Sequence, residues 1–431
     1  MKVSVAGLWH LGSVTAACLA EHFATVGIDP DDRRIAELNA GVPPLYEPGL
    51  ETLLRSGIQR GNLRFSSNTS AVAECDLVWI TFDTPVDEND VADFDYVEQQ
   101  VTGIFPHLSD GAVVLISSQV PAGFTARIAD RFQQAHPDKD VGFAYSPENL
   151  RLGQALNVFR QPDRIVVGVS RDRDRTKLKA LLAPFSSNVI WMSVQSAEMT
   201  KHALNAFLAT SVAFINEIAV LCEAVGADSR DVERGLKSEA RIGPRAYLRA
   251  GGAFAGGTLA RDIAFLGTIG ARHGVESPML NAVAISNERH KSWTSRKLEQ
   301  ALGSVGGRTV AILGLTYKPG TDTLRRSASI ELCHWLAGRG ATIRAYDQMV
   351  KTLPDDLAGR VVMAGSIAEA CQGADAVVVG TPWPEFLTGA AEIASALDGG
   401  LVIDAAGFLE EQLASHPGVR YATVGRAGVS R

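Results

Sequence analysis

Short apolar runs alternate with longer helical patterns along the first half of the chain. Residues 2–6 and 24–28 each predict a strand, and further strand patterns follow at 77–82, 112–117, 141–145, 165–168 and 189–191. Helical patterns lie between several of these runs. The alternation predicts a doubly wound parallel sheet of the α/β class, because helices connect strands that run in one direction.

A long helical pattern covers residues 196–225. No glycine or proline interrupts it, Ser196 is suited to cap its start, and Gly226 follows its end. At 1.5 Å per residue this helix would be about 45 Å long. Its apolar residues cover much of the circumference, so we expect burial on several sides, as an interdomain spine or a dimer core. They are Phe207, Leu208, Val212, Phe214, Ile215, Ile218 and Leu221.

Strand patterns recur after residue 300, and Gly314 follows the first of them. They lie at 309–313, 342–346, 376–379 and 401–403. A chain of 431 residues is too long for one core. We therefore expect two Rossmann-like doubly wound parallel-sheet domains, 1–195 and 301–431, joined by the long central helix within a helical dimerisation region, 196–300.

Composition and charge narrow the class of protein. The chain is 46% hydrophobic and 21% charged, with a net charge of -7 and no basic block. These values are typical of a globular protein and argue against a nucleic-acid or membrane surface. The first residues enter a strand directly, and we read no apolar run of membrane-spanning length. We expect a cytoplasmic enzyme.

Cysteine and histidine spacing predicts no metal site. The five cysteines are widely spread in apolar surroundings, which favours buried free thiols over disulfides. The histidines show no paired-ligand spacing.

The first predicted strand leads into a turn with the layout of a dinucleotide-binding unit. Gly7 and Gly12 bracket the turn, an apolar helix follows, and Asp29 ends the second strand. In this layout the helix N-terminus faces a pyrophosphate and the acidic residue binds ribose hydroxyls. Trp9 occupies the place of the second glycine of the usual pattern. Because Asp29 would repel a 2′-phosphate, the sequence favours NAD over NADP.

Polar residues at strand ends and on the long helix are candidates for chemistry. The turns 83–85, 118–121 and 146–149 each follow a predicted strand; one alone is ordinary turn chemistry, but three together favour a ligand crevice. Lys201 and Asn205 share one helix face, either as a functional pair or as a solvated lysine and a satisfied core amide.

The Gly/Ala-rich stretch 250–258 has two interpretations. It is either a flexible linker or a loop whose backbone amides close on a ligand. Arg261 and Asp262 follow it and lead into an apolar helix, which favours the ligand loop.

Motifs in one consistent order resemble the UDP-glucose/GDP-mannose dehydrogenase family over nearly the whole chain. They are the Gly7 to Gly12 turn with Asp29, Tyr46-Glu47-Pro48-Gly49-Leu50, Phe159-Arg160-Gln161-Pro162-Asp163-Arg164, Glu198-Met199-Thr200-Lys201-His202-Ala203-Leu204-Asn205, Phe214-Ile215-Asn216-Glu217, Arg241-Ile242-Gly243-Pro244, and Gly314-Leu315-Thr316-Tyr317-Lys318-Pro319 running to Asp322 and Arg325. The resemblance implies two NAD-dependent hydride transfers at C6 of a nucleotide-linked hexose, from alcohol through aldehyde to carboxylate. Motifs 46–50 and 241–244 look more like the UDP-glucose branch.

The resemblance also implies roles for single residues. Lys201 and Asn205 would stabilise the developing alkoxide, Glu148 would act on a catalytic water, and Asp262 would support proton transfer. Cofactor binding would fall to Gly7, Leu11, Gly12, Asp29, Arg34, Thr84, Pro85, Ser118 and Arg325. Substrate binding would fall to Asn149, Leu150, Arg241, Tyr247, Phe254, Gly257 and Lys318. By the same resemblance, the long helix implies a homodimer.

Three positions depart from the family pattern. Thr258 stands where the family has its nucleophilic cysteine, and a hydroxyl is a poor substitute for a thiolate. Leu152 replaces a glutamate, and Gln119 replaces a threonine. Because all three changes fall on water and acyl chemistry, we expect redox chemistry to be retained and acyl-enzyme chemistry to be impaired.

The sequence leaves three functions open. The leading one is NAD-dependent oxidation of a UDP-hexose at C6, either stopping at the aldehyde or continuing to the acid. The second is oxidation of another nucleotide sugar, such as a UDP-N-acetylhexosamine. The third is a non-catalytic nucleotide-sugar-binding protein, against which the retained Lys201, Asn205, Glu148 and Asp262 argue.

Overall fold

The computed structural model describes residues 1–87, 92–148, 150–255, 257–397 and 399–428. The chain divides into two compact units, residues 1–203 and residues 204–431. Each unit contains one α/β sheet, as the strand patterns predicted.

The sheet of the first unit is parallel over most of its width. Its strands are β1 (Lys2–Ala6), β2 (Ala24–Ile28), β3 (Leu63–Ser66), β4 (Leu77–Ile80), β5 (Val113–Ile116), β6 (Gly142–Tyr145), β7 (Ile165–Val169) and β8 (Val189–Met192), in the order β3-β2-β1-β4-β5-β6-β7-β8. The pairing of β6 with β7 is antiparallel, with Tyr145 opposite Gly168. The predicted doubly wound parallel sheet is confirmed, with this antiparallel pairing as an added detail. Because β7 is antiparallel to β6, the chain does not have to return to the amino end of the sheet between these strands. It turns back at the carboxyl end of β6.

Helices cover both faces of this sheet. They are α1 (His10–Leu19), α2 (Asp32–Asn39), α3 (Leu50–Gln59), α4 (Phe94–Ile104), α5 (Phe124–Ala135), α6 (Ala155–Arg160) and α7 (Asp172–Leu182), with 3-10 turns at Thr69–Val72 and Phe105–His107. Along β4, Leu77 and Trp79 enter one core, while Val78 and Ile80 enter the other. Burial on both faces explains why the strand is apolar at every position instead of alternating.

The long helix, α8, spans Val194–Val225 and belongs to both units. It begins two residues earlier than predicted. The Ser193 hydroxyl accepts the Ser196 backbone N–H at 3.2 Å, so Ser193 rather than Ser196 supplies the cap. In the single chain Phe207 is 69% exposed and Leu221 is 60% exposed, so burial of these residues in a dimer core stays a prediction.

By length and composition alone, α8 is also long and apolar enough to cross a membrane. The sequence reading that no apolar run reaches this length is therefore corrected. One such helix is weak grounds for a membrane span, because the core helix of a soluble protein passes the same test.

The sheet of the second unit is parallel at every strand pairing in the part of the chain that the structure describes. Its strands are β9 (Thr309–Leu313), β10 (Thr342–Tyr346), β11 (Val361–Met363), β12 (Ala376–Val379), β13 (Leu401–Ile403) and β14 (Arg420–Ala422), in the order β11-β10-β9-β12-β13-β14. The order changes direction at β9 and β12, which is where ligands bind in open α/β sheets.

The helices of the second unit form a helical region followed by the layers of the sheet. They are α9 (Ser229–Ser238), α10 (Thr258–Arg272), α11 (Pro278–Lys291), α12 (Trp293–Leu302), α13 (Ala328–Ala337), α14 (Ile367–Cys371), α15 (Pro384–Thr388), α16 (Ala390–Leu397) and α17 (Glu410–Leu413). Ala206, Ala209 and Ala213 of α8 share a small core with Ile263 of α10 and Val283 of α11. Small alanine side chains allow the three helices to approach closely.

Candidate active site

The dinucleotide turn of the first unit is built around two glycines. Gly7 adopts φ +94°, and a Cβ built there would lie 2.5 Å from the Phe82 backbone nitrogen. A Cβ at Gly12 would overlap the Gly7 carbonyl oxygen. Both positions therefore require glycine, and α1 starts directly against the turn. Trp9 precedes α1, its side chain does not cap the helix, and the first turn carries no acidic residue. The first amides of α1 are thus suited to a pyrophosphate, as NAD requires.

Asp29 follows β2 and is 3% exposed. Its Oδ2 accepts the Leu8 backbone N–H at 2.7 Å, and Arg34 Nη1 contacts both carboxylate oxygens at 2.9 Å. The Arg34 guanidinium lies 5.2 Å from the centre of the Trp9 ring. The structure therefore brings together Asp29 and Arg34, two of the residues expected to bind the cofactor, and holds them beside the turn.

Side-chain hydrogen bonds join the carboxyl ends of the neighbouring strands. The Thr84 hydroxyl, after β4, donates to the Gln119 carbonyl at 2.6 Å, after β5. Trp79 Nε1 donates to the Ser117 hydroxyl at 2.8 Å, and Ser117 donates to the Ser146 carbonyl at 2.5 Å. These bonds fix the three turns that the sequence assigned to a ligand crevice.

Three further cofactor candidates and two substrate candidates belong to this edge of the sheet. The Ser118 hydroxyl is buried and has no hydrogen-bond partner within the described residues. Leu11 and Leu150 line a cavity of about 90 Å³ together with Glu148. Pro85 accepts the Asp93 backbone N–H at 2.8 Å through its carbonyl. Asn149, another predicted substrate residue, lies outside the described residues.

Lys201 contacts the loop that follows β6. Its Nζ donates to the Glu148 carbonyl at 2.6 Å and lies 3.3 Å from Glu148 Oε1. Lys201 is 8% exposed, so the interpretation as a solvated lysine is wrong. Glu148 Oε2 also accepts the Leu150 N–H at 2.9 Å, which holds the carboxylate beside the ammonium.

Glu198 anchors the start of α8, a role that sequence reasoning missed. It is fully buried and accepts the backbone N–H groups of Gly123 at 2.6 Å and Thr125 at 2.9 Å. Its carboxylate thus satisfies the first amides of α5. The motif 198–205 contained this residue, but the sequence gave no sign of its partner.

One turn beyond Lys201 on α8, Asn205 donates a hydrogen bond to Asp262 Oδ2. Asn205 is 5% exposed and Asp262 is fully buried, so the pair is a desolvated amide and carboxyl. Thr258 is the first residue of α10 and lies four residues, about one turn, before Asp262. Its side chain is exposed. Asp262 and Thr258 therefore share one face of α10.

The remaining substrate candidates are spread over the second unit. Arg241 is exposed and pairs with Glu239 Oε1 at 2.9 Å, and Tyr247 is 59% exposed. Lys318 is also exposed, as is the cofactor candidate Arg325. Gly257 lies close to the Tyr317 hydroxyl, which would be 3.1 Å from a Cβ built at Gly257.

A cavity of about 330 Å³ lies in the second unit, at the carboxyl ends of β12 and β13. Phe254 and the neighbouring loop form one wall, and Val379, Arg326 and Trp335 are among the residues opposite. Burial lowers the pKa of the Arg326 guanidinium, and this residue adopts φ +63°. The sequence did not single out Arg326, because neither its strained backbone nor its burial is visible from the pattern.

The cysteines are buried free thiols, as predicted. Burial raises the pKa of Cys18, Cys333 and Cys371 to about 12. These three thiols stay protonated at neutral pH and are not thiolate nucleophiles.

The glycine turn, the uncapped helix and the buried carboxylate after β2 are typical of a dinucleotide-binding domain. The lysine beside a glutamate gives this domain polar groups suited to proton transfer, as a dinucleotide-dependent oxidoreductase requires.

Comparisons with known proteins agree with this class. The family model of the UDP-glucose/GDP-mannose dehydrogenase NAD binding domain matches residues 1–186, that of the central domain matches 195–289, and that of the UDP binding domain matches 311–411. A UDP-glucose 6-dehydrogenase of Pseudomonas aeruginosa is 36% identical over 402 residues, covering 90% of this chain and 88% of that protein. One from Bacillus subtilis is 34% identical over 438 residues, covering 100% and 98%.

A solved UDP-glucose dehydrogenase from Pyrobaculum islandicum has the same fold. Its TM-score is 0.84 at 29% identity, covering 99% of this chain and 98% of that chain. The chain belongs to the UDP-glucose/GDP-mannose dehydrogenase family and is an NAD-dependent nucleotide-sugar dehydrogenase.

Proposed function

We propose that this protein oxidises the C6 hydroxyl of a UDP-hexose, with UDP-glucose as the first substrate to test. The observation that carries the proposal is the pair of contacts made by consecutive turns of α8, Lys201 with Glu148 and Asn205 with Asp262. An ammonium and an amide one helical turn apart can both donate to one oxygen. The curated relatives named above support the choice of UDP-glucose.

Each polar group has a task in this proposal. NAD, when bound, supplies the hydride acceptor. The Lys201 ammonium and the Asn205 amide stabilise the alkoxide that forms as the C6 hydroxyl loses its proton. Glu148 lies next to Lys201, and we assign its carboxylate to accept this proton through a water molecule. Asp262, fully buried, orients the Asn205 amide.

Cofactor and substrate binding are assigned to separate residue sets. Gly7, Leu11, Gly12, Asp29, Arg34, Thr84, Pro85, Ser118 and Arg325 are proposed to hold NAD. Leu150, Arg241, Tyr247, Phe254, Gly257 and Lys318 are proposed to hold the nucleotide sugar, together with Asn149. The cavity beside Phe254 and the match of residues 311–411 to a UDP binding domain support the second set.

Thr258 limits the proposed reaction to one oxidation. A second oxidation through an acyl-enzyme needs a thiolate that adds to the aldehyde, and a threonine hydroxyl ionises far less readily. We therefore propose the 6-aldehyde as the main product. Slow oxidation of the hydrated aldehyde is the competing outcome.

The proposal is tested by NADH formation with a panel of UDP-sugars that includes UDP-glucose and a UDP-N-acetylhexosamine. We expect the highest turnover with UDP-glucose and a loss of about 100-fold to 1000-fold in Lys201→Ala. Lys179→Ala, an exposed lysine on α7, is the matched control and should retain full activity. NADH formation that survives in Lys201→Ala would refute the assignment, and no NADH with any sugar would favour a binding protein without catalysis.

The domain division and assembly are also proposals. We place the cofactor domain at 1–195, the helical region at 196–300 and the nucleotide-sugar domain at 301–431, and the three family-model matches support this division. Phe207, Phe214 and Leu221 repeat at intervals of seven along α8 and are exposed, which supports a homodimer through this helix. Light scattering of Phe214→Glu against wild type tests the dimer.

A cytoplasmic location is proposed from the buried free thiols, since reducing compartments keep cysteines in this state. Cell fractionation would test it, and recovery with the membranes or outside the cell would contradict it.

A further inference from the structure

The stretch 246–255 has neither helix nor strand, yet it is firmly held. It carries Gly251 and Gly252 in a run of small residues. Ordering such a run costs more conformational entropy than ordering most sequences, because glycine is freer than other residues in the unfolded chain. The loop therefore needs contacts that fix its backbone.

Asn216 of α8 provides the first of these contacts. Its Oδ1 accepts the Gly251 N–H at 3.0 Å, and its Nδ2 donates to the Gly252 carbonyl at 3.3 Å. Asn216 is 1% exposed. A buried amide that uses both its acceptor and its donor on one short segment fixes the path of that segment.

Asn287 of α11 makes the corresponding contact at the other end of the loop. Its Oδ1 accepts the Phe254 N–H at 2.9 Å, and its Nδ2 donates to the Phe254 carbonyl at 2.8 Å. His290 lies one turn further along α11, and its Nε2 is 2.7 Å from the Gly251 carbonyl, so it donates there. Burial lowers the pKa of the His290 imidazole. The loop is thus attached to two helices.

The held segment forms a wall of the cavity of about 330 Å³. Gly252, Ala253, Phe254 and Ala255 all line it. Thr258 and the start of α10 follow within a few residues. A shift of the loop would therefore change both the shape of this cavity and the position of Thr258.

We propose that Asn216 and Asn287 are positioning residues that hold the 251–254 loop in the form that binds the UDP part of the substrate. Neither residue has to touch the substrate. They act by fixing the loop before binding, which removes an ordering cost from the binding step. This inference rests on the proposed function, since it assigns the loop to a UDP-sugar, and it gives the motif 214–217 a role.

The test combines UDP binding with amide hydrogen exchange in the full-length protein. Asn216→Ala and Asn287→Ala each remove one two-point contact, and Asn287→Asp keeps the acceptor for the Phe254 N–H. Asn281→Ala is the control, because Asn281 is an exposed residue of α11. UDP affinity is measured by calorimetry, KM and kcat with UDP-glucose and NAD, and exchange by mass spectrometry of peptides that contain 251–254.

We expect the two alanine variants to lose UDP affinity by about tenfold and to raise KM similarly, with kcat within about threefold of wild type. Amide exchange should become faster at 251–254 but not in β9 and β12. The UDP affinity of Asn287→Asp should lie between that of wild type and that of Asn287→Ala. The control should match wild type. UDP affinity within twofold of wild type in both alanine variants, or unchanged exchange in the loop, would overturn the inference.

The outcomes separate this inference from the proposed function. Wild type that binds UDP but forms no NADH with any sugar would refute the function, and a loss of UDP affinity in the variants would still support the positioning role. Wild type that oxidises UDP-glucose, with both variants equally active at low substrate, would refute the positioning role alone.

Discussion

The two sheets of this protein open on the same glycine turn. Gly7 after β1 has φ +94°, and Gly314 after β9 has φ +89°. A Cβ built on either would lie 2.5 Å from a backbone nitrogen on the neighbouring segment, that of Phe82 or that of Thr381. Both units therefore require glycine at the point where the turn crosses the end of the adjacent strand.

A buried aspartate braces each turn from the following strand. Leu8 N–H donates to Asp29 at 2.7 Å, and Leu315 N–H donates to Asp347 at 2.7 Å. The additional partners differ. Asp29 also accepts a hydrogen bond from Arg34, a charged side chain, whereas Asp347 accepts the indole N–H of the buried Trp383 at 3.0 Å.

The helix after the turn separates the two regions most clearly. The helix α1 begins three residues after Gly7 with no side-chain cap, whereas α13 begins at Ala328, well beyond Gly314. The Ser327 hydroxyl accepts the N–H groups of Ser329 and Ile330, which occupies the first amides of α13. Open amides favour a bound pyrophosphate, and capped amides do not.

The same glycine turn in both units therefore does not by itself determine which ligand each unit binds. In the first unit the backbone at the start of α1 is proposed to bind NAD. In the second unit the stretch between Gly314 and α13 carries Lys318 and Arg326, and we expect these side chains to bind the nucleotide sugar there.

Alanine at either turn glycine should give the largest effect. We expect Gly7→Ala and Gly314→Ala each to lower the free energy of unfolding by about 2 to 4 kcal/mol, because both add backbone strain and overlap. Only Gly7→Ala should also abolish NAD binding. Gly103→Ala is the control, since a Cβ there meets no atom within 4 Å. Denaturant unfolding measures the free energy of unfolding, and calorimetry measures NAD binding. Equal loss of NAD binding in Gly7→Ala and Gly314→Ala would contradict the assignment of NAD to the first turn alone.

Neutralising the two aspartates should have an intermediate effect. Asp29→Asn and Asp347→Asn each weaken a buried acceptor, which should cost about 1 to 3 kcal/mol of stability. Asp29→Asn should also weaken NAD binding and narrow the preference for NAD over NADP, since the charge that repels a 2′-phosphate is gone. Dissociation constants for both cofactors measure this. A changed NAD affinity in Asp347→Asn would show that the turns are not separate in function.

Two substitutions test the difference between the helix starts: one removes the cap of α13, and the other adds a capping carboxylate to α1. Ser327→Ala should cost about 1 kcal/mol of stability and leave NAD binding unchanged. Trp9→Asp would place a carboxylate at the start of α1, and we expect NAD to bind roughly fivefold to tenfold more weakly than in Trp9→Ala. Calorimetry with NAD distinguishes the two Trp9 variants, and equal affinities would argue against a pyrophosphate at α1.

Thiol modification should have the smallest effect. Cys18 lies in α1 and Cys333 in α13, and burial raises the pKa of each to about 12. Their thiolate fraction at pH 8 is therefore very small. We expect iodoacetamide to leave NADH formation within about twofold of the untreated rate under native conditions. Rapid inactivation that NAD or UDP-glucose prevents would indicate a thiol nucleophile after all.

Local patterns predicted much of this structure. The turn at Gly7 and the acid at Asp29 were readable because one short βαβ unit contains both. The strands β3, β11 and β14 were missed, since three or four residues at or near a sheet edge leave little pattern. Asp347 follows β10 as Asp29 follows β2. It was missed because the long segment between Gly314 and α13 makes the second glycine turn look unlike the first in sequence.

The candidate site was less readable than the fold. Lys201 and Asn205 were found from helix spacing, and their partners Glu148 and Asp262 from resemblance. The contacts of Asn216 and Asn287 with the loop were not predictable, because each joins segments more than thirty residues apart. Amide side chains of this kind carry no pattern that distinguishes a buried clamp from an exposed surface residue.

The central claim is that this chain oxidises a UDP-hexose without a thiol nucleophile. The most direct measurement is the number of NADH molecules formed per UDP-glucose consumed, with the product identified by mass. We expect one NADH per sugar and either the 6-aldehyde, which is two hydrogens lighter than UDP-glucose, or its hydrate, which is one oxygen heavier than UDP-glucose. Two NADH per sugar with a uronate as the product would contradict it.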